Sequence, residues 1–106
     1  MTMIFKVAEQ FTDAPGGRFR KDGDHSGEEL RDDYLIPLLD ENPNEKLTID
    51  FDGIYGIASS TLDEVFYGLV KQKGAEVIDR IEIVSWEDPS VLFDALDSMN
   101  EALMDE

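Results

Sequence analysis

The chain has no cysteine and a single histidine, His25. The first absence removes disulfides, thiolate nucleophiles and cysteine-built metal sites, and the second leaves no imidazole cluster for a metal. A serine–histidine pair would rest on His25 reaching Ser59 or Ser60, and no nucleophile elbow is present to carry it. Positive charge is scarce: 9 Lys and Arg stand against 25 Asp and Glu, a formal net charge of −16. From residue 82 onward there is no lysine or arginine, while Glu82, Glu87, Asp88, Asp94, Asp97, Glu101, Asp105 and Glu106 are all acidic. Such a field repels nucleic-acid phosphates and anionic lipid, which excludes groove binding through a basic patch and argues against a membrane-surface role. No apolar run approaches the roughly 20 residues that cross a bilayer. Residues 1–7 lack the basic start and long apolar stretch of a secretory signal, so the cytoplasm is the expected location. Gly16-Gly17-Arg18 lacks the Lys-Ser/Thr ending of a phosphate loop, so no nucleotide cofactor is expected.

The most informative stretch present runs from Leu47 to Gly74. Leu47, Ile49 and Phe51 alternate with Thr48 and Asp50, the two-residue period of a strand with one buried face. Leu62, Val65, Phe66, Leu69 and Val70 then recur at helical spacing, and Gly74 ends that helix. Between them lie Gly53, Gly56 and the hydroxyl run Ser59, Ser60 and Thr61, where a strand hands over to a helix N-terminus. Around this unit, residues 3–8 read as a first strand, residues 18–20 as a short second one, and residues 81–84 as another. Ser26 with Glu29 forms a capping box opening a helix through Leu30, Tyr34, Leu35 and Leu38, which Pro37 should end or kink. Asp88-Pro89 opens the last helix, whose apolar stripe is Leu92, Leu96, Met99 and Leu103, backed by Ala95 and Ala102. The expectation is one α/β domain over residues 1–106: a small mixed β-sheet of about four strands covered by about three helices. In such sheets ligands and partners meet the crevice beyond the carboxyl ends of the strands, which places residues 53–61 at the functional edge.

Four pieces carry a family resemblance: Gly16-Gly17-Arg18, Gly27-Glu28-Glu29, Asp50-Phe51-Asp52-Gly53, and Ser60-Thr61-Leu62-Asp63-Glu64. In this order and spacing the chain resembles the STAS domain of anti-sigma-factor antagonists, and more closely the STAS-like subgroup without an assigned function. The resemblance implies a non-catalytic regulatory module that docks a protein partner of the kinase-like ATP-binding regulator type. It also implies that Ser60, with Ser59 beside it, aligns with the serine such antagonists offer for phosphorylation. Ala58 stands where familiar members carry an aspartate before the serine pair, and Thr61 where they carry glycine.

The same residues have a purely structural reading. Ser60 with Asp63, or Thr61 with Glu64, satisfies a capping box. A phosphate on Ser60 would suit a helix N-terminus, yet it would add about −1.5 to −2 charge beside Asp63 and Glu64. Asp22, Asp24, Ser26 and Asp33 imitate calcium-loop spacing, but Glu29 and Asp33 fit positions eight and twelve poorly, so a turn and helix cap are expected and no metal. Asp50 and Asp52 share a strand face and read as solvated or capping, and Arg18 reads as a brace for an acid such as Asp52 or Glu64. The candidate partner surface is therefore Tyr55, Ile57, Ser59, Ser60, Thr61 and Glu64, with no catalytic residue and no cofactor. The acidic surplus itself admits a solvated surface, a docking face for a basic protein, or an acidic nucleic-acid mimic that occupies a basic protein; the last is the alternative function.

Overall fold

The computed structural model describes residues 2–105. Its sheet holds three strands, β1 (Thr2–Lys6), β2 (Lys46–Asp50) and β3 (Ile81–Val84), in the order β1-β2-β3. All pairing is parallel: Met3 lies beside Leu47 and Leu47 beside Ile81, and Phe5, Ile49 and Ile83 form the next row. The expected mixed sheet of about four strands is thus a parallel sheet of three. The strand expected at residues 18–20 does not form, because the backbone there is used by a helix start. Gly17 and Arg18 carbonyls accept from the Gly27 and Glu28 amides at 2.9 and 3.1 Å, and residues Arg20–Asp22 turn as a short 3-10 helix.

Five α-helical stretches accompany the sheet rather than about three: α1 (Val7–Gln10), α2 (Gly27–Glu29), α3 (Ile36–Glu41), α4 (Ser59–Lys73) and α5 (Pro89–Met104). A π-type turn at Leu30–Leu35 joins α2 to α3 without a break, so Pro37 neither ends nor interrupts this helical run. The widened turn just upstream is where the helix absorbs the missing donor and the bulk of the proline ring. Arg80 closes the far end, its Nη2 donating to the carbonyls of Leu39, Asn42 and Glu45 at 3.1, 2.6 and 3.1 Å.

Both crossovers, β1 to β2 and β2 to β3, advance in the same direction across the sheet, and right-handed connections then deliver their helices to the same face. Burial agrees. Phe5, Leu47 and Ile49 are buried and Met3, Ile81 and Ile83 partly buried under the helices, whereas Ile4 on the opposite face is 61% exposed, in a row with Thr48 and exposed Glu82. Among the described residues the helices cover one face of the sheet, not both. Helix α4 is central: Leu62, Val65, Phe66, Leu69 and Val70 are buried, the stripe the sequence spells out. Helix α5 differs from its expected orientation. It packs on α4 through Val91, Ala95, Ser98, Met99 and Ala102, so small side chains form the seam and Leu96 and Leu103 remain exposed. No helix among the described residues is long and apolar enough to cross a membrane.

Candidate functional site

The corner from β2 to α4 is built by loop polar groups that satisfy one another. The Asp50 carboxylate accepts from the Asp52 amide at 2.9 Å, Asp52 accepts from the Glu87 amide at 2.9 Å, and Glu87 accepts from the Gly53 amide at 2.5 Å. Asp50 and Asp52 are thereby loop fasteners. The Tyr55 amide donates to the Asp13 carbonyl at 2.8 Å, which fixes the backbone while leaving the Tyr55 side chain 88% exposed. Ile57 is half-buried, and Ser59 and Ser60 are exposed on the first turn of α4.

Helix α4 begins two residues earlier than a capping box at Ser60 requires, and three earlier than one at Thr61. Ala58 is its N-cap and contributes no side-chain hydrogen bond, so neither Ser60 nor Thr61 caps the helix. Thr61 instead lies 1% exposed, its hydroxyl donating to the Gly16 carbonyl at 3.0 Å. Gly27 packs so closely on this turn that a Cβ there would stand 2.6 Å from the Thr61 carbonyl oxygen. Arg18 reaches the same turn, with Nε 3.0 Å from Glu64 and Nη2 3.2 Å from Asp63. Of the two acids proposed for Arg18, Glu64 is a partner and Asp52 is committed to the loop. Three of the four motif pieces thus converge on one knot that clamps α2, the Gly16–Arg18 turn and α4 together.

Of the expected partner surface, Tyr55, Ser59 and Ser60 are exposed along the β2-to-α4 lip and Ile57 is half-buried against the core, while Thr61 and most of Glu64 face into the knot. Arg31 is a participant that the sequence reading overlooked. It is only 6% exposed; its Nη1 donates to the carbonyl and to the carboxylate of Glu64 at 2.7 and 2.5 Å, and its Nε to Asp32 at 2.8 Å. Burial opposes its charge, but the hydrogen bonds to Asp32 and Glu64 more than compensate and its pKa is raised. An arginine in a helical run beside two aspartates reads as a solvated surface pair, so its inward turn had no local signal.

Two clefts flank the lip. One, of about 340 Å³, is lined by Arg18, Ser59, Ser60, Asp63, Asp94, Asp97, Ser98 and Glu101. It sets four carboxylates around the serine pair, with Arg18 as the one cation and that cation already bound to Asp63 and Glu64. The other, of about 300 Å³, lies beyond the carboxyl ends of β2 and β3 and is lined by Phe51, Ile54, Tyr55, Gly56, Ser85, Glu87, Asp88 and Val91. His25 lines neither cleft; its ring stands edge-on to Phe11 at 5.3 Å. Asp22, Ser26 and Asp33 are engaged separately, with the Phe19 amide, the Glu29 amide and Arg20.

No curated protein and no solved structure matches the chain. A family profile described as a STAS-like domain of unknown function matches residues 26–91, from the α2 cap through the first turn of α5. The Gly16–Arg18 turn falls outside that match, although it is bolted to it through Thr61 and Glu64. With Ser26, the Gly27–Glu29 start, β2 and the Ser60–Glu64 turn all inside the matched span, the chain belongs to the family of STAS-like domains of unknown function (DUF4325).

Proposed function

We propose that this protein is a non-catalytic regulatory module that binds a protein partner through the lip formed by Tyr55, Ile57, Ser59 and Ser60. The observation that carries the reading is Tyr55, an aromatic side chain 88% exposed on a loop whose backbone is pinned at Asp13 and Glu87. An exposed tyrosine on a pinned backbone gives a partner a large contact area with little backbone ordering cost, which is the profile of an interface anchor. Membership in a STAS-like family points to a kinase-like ATP-binding regulator as the partner, with Ser60 as the acceptor of its phosphate.

The cleft around Ser60 gives the modification a direction. A phosphoserine there faces Asp63, Asp94, Asp97 and Glu101, so repulsion outweighs the favourable helix end and the added charge acts as a release signal. The test pairs the purified protein with the ATP-binding regulator recovered with it from its host, measuring affinity by calorimetry and phosphorylation by mass spectrometry. Tyr55→Ala should weaken binding at least tenfold and Ser60→Asp should weaken it severalfold, while Ser60→Ala binds as wild type and blocks phosphate incorporation. Equal affinity for all three variants, with no phosphate at Ser60, rejects the reading.

A further inference from the structure

Strand β3 pairs with β2 alone, and among the described residues no strand lies along its other side. The register fixes which backbone groups face that side. Val84 lies opposite Asp50 and its carbonyl accepts from the Phe51 amide at 2.8 Å, so Val84 and Glu82 turn their peptide groups toward β2. Ile83, between them, turns its amide and its carbonyl outward, where no backbone group of the described residues meets either. A groove of about 210 Å³, lined by Glu82, Ile83, Val84, Ser85, Trp86 and Leu92, occupies the same side. Successive strand residues alternate between the faces of a sheet, so a groove touching Glu82, Ile83 and Val84 together runs along the strand edge and not over one face.

The two walls of the groove differ. On the helix-covered side stand Ile83, in the row of Phe5 and Ile49, and Leu92 of α5. On the open side stands Glu82, exposed and in the row of Ile4 and Thr48, and just past the carboxyl end of the strand Trp86 is 84% exposed. Unpaired peptide groups select the backbone of another strand, because an extended chain presents donors and acceptors at the matching spacing. The walls select its side chains, apolar toward Ile83 and Leu92 and cationic toward Glu82. We propose that the outer edge of β3 binds an extended segment of a partner protein as a fourth strand, with apolar and basic residues alternating along it. A second copy of the chain would set its own Glu82 on the same face of the joined sheet and bring together two molecules of net charge −16, which disfavours self-pairing. This edge is distinct from the Tyr55–Ser60 lip and does not depend on it.

Trp86 is the only tryptophan and lines the groove, so its emission reports on occupancy. The probe is a capped peptide of about six residues, an ordinary strand length, in which valine and lysine alternate. Its controls are the same residues in two blocks, a version with glutamate in place of lysine, and a version N-methylated at its central amides, which removes the donors and bars close approach to a strand edge. The alternating peptide should shift Trp86 emission to the blue with saturable binding and slow hydrogen exchange at the Ile83 amide at least tenfold, and no control should do either. Glu82→Gln, at an exposed position, should weaken binding severalfold and flatten its salt dependence, with circular dichroism verifying the fold. Absence of saturable binding, equal binding of the blocked or N-methylated peptide, Ile83 exchange that ignores the bound peptide, or binding that Glu82→Gln leaves unchanged would each overturn the proposal. So would a concentration-dependent dimer in sedimentation whose Ile83 amide is already protected, since the edge would then belong to a second copy.

Discussion

Arg31 Nη1 stands 2.5 Å from a carboxylate oxygen of Glu64, an ion pair shut into the seam between the π-type turn and α4. Glu64 holds a second cation, Arg18, at 3.0 Å on its outer side, so a single carboxylate bridges the core-facing and loop-facing arginines. Removing one member of such a buried pair strands the other, which costs far more than the pair contributes over an apolar substitute. Glu64→Ala should therefore destabilise the protein by about 3–5 kcal/mol, read as a lower urea midpoint with an unchanged slope. A loss below about 1 kcal/mol would mean that Arg31 escapes to solvent when its partner is gone.

Gly68 exists to make room for that guanidinium. A Cβ at residue 68 would overlap Arg31 Nη1 and approach its Cδ and Cζ to 3.0 Å, and Arg31 cannot swing aside while bonded to Asp32 and Glu64. Gly68→Ala, which in an ordinary helix interior would add roughly 0.5–1 kcal/mol, should instead lose about 1–3 kcal/mol. In an Arg31→Met background the same change should become neutral or stabilising. Additivity of the two substitutions in urea unfolding would show that the residues are not coupled.

The stripe of α4 was legible in the sequence because a helix lying on a sheet must repeat its apolar residues near every third or fourth position, and Leu62 to Val70 do so with no competitor. The stripe of α5 was misjudged for the opposite reason: two apolar patterns overlap there, and periodicity favours the larger leucines while close helix packing selects alanine and serine. The strand expected at residues 18–20 failed because its hydrogen-bonding groups had nearer partners at Gly27 and Glu28, a long-range arrangement with no local signature. At the site, the exposed lip at Tyr55 and Ser59–Ser60 could be placed from the strand-to-helix handover alone. The burial of Thr61 could not, since it depends on Gly16, 45 residues away in sequence.

Thr61 and Gly16 offer a test of the knot that leaves the ion pairs alone. Thr61→Val keeps the shape of the side chain but leaves the Gly16 carbonyl without its 3.0 Å donor, at a cost of about 1 kcal/mol. Thr61→Ser restores the donor and should recover most of it. Hydrogen exchange at the Gly27 amide, which bonds Gly17 in the same turn, should accelerate in the valine variant and not in the serine one.

Two exposed pairs set opposite limbs of the pH profile. Asp33 accepts from Arg20 at 2.9 and 2.7 Å, and these hydrogen bonds, then the charge of Arg20, hold its carboxyl below the ordinary 3.8. Its contribution is complete above that value and is lost as pH falls through the lower folded-state pKa; Asp33→Asn should flatten the acid limb there. Tyr67 donates to Asp105 at 2.8 Å, and that bond foremost raises its hydroxyl above the ordinary 10.0. The folded state thus holds the tyrosine proton more tightly, so stability is retained up to about pH 10 and declines above it, a decline that Tyr67→Phe should remove. Melting temperatures across both ranges give the comparison.

The carboxylates around Ser60 make a prediction that needs no partner. A negative charge in the first turn of a helix gains about 0.3–1 kcal/mol from the exposed amides, and α4 leaves those amides without a side-chain cap. Against that gain stand Asp63, Asp94, Asp97 and Glu101, all lining the cleft that Ser60 lines, with Arg18 already committed to Asp63 and Glu64. Four like charges should win. Ser60→Asp is then expected to melt lower than the isosteric Ser60→Asn at low ionic strength, by the equivalent of up to about 1 kcal/mol. The gap should close as salt approaches 1 M, where the screening length falls to about 3 Å. If Ser60→Asp proves the more stable of the two at low salt, the helix end dominates the cleft, and a phosphate at this position would be held in place instead of driving release.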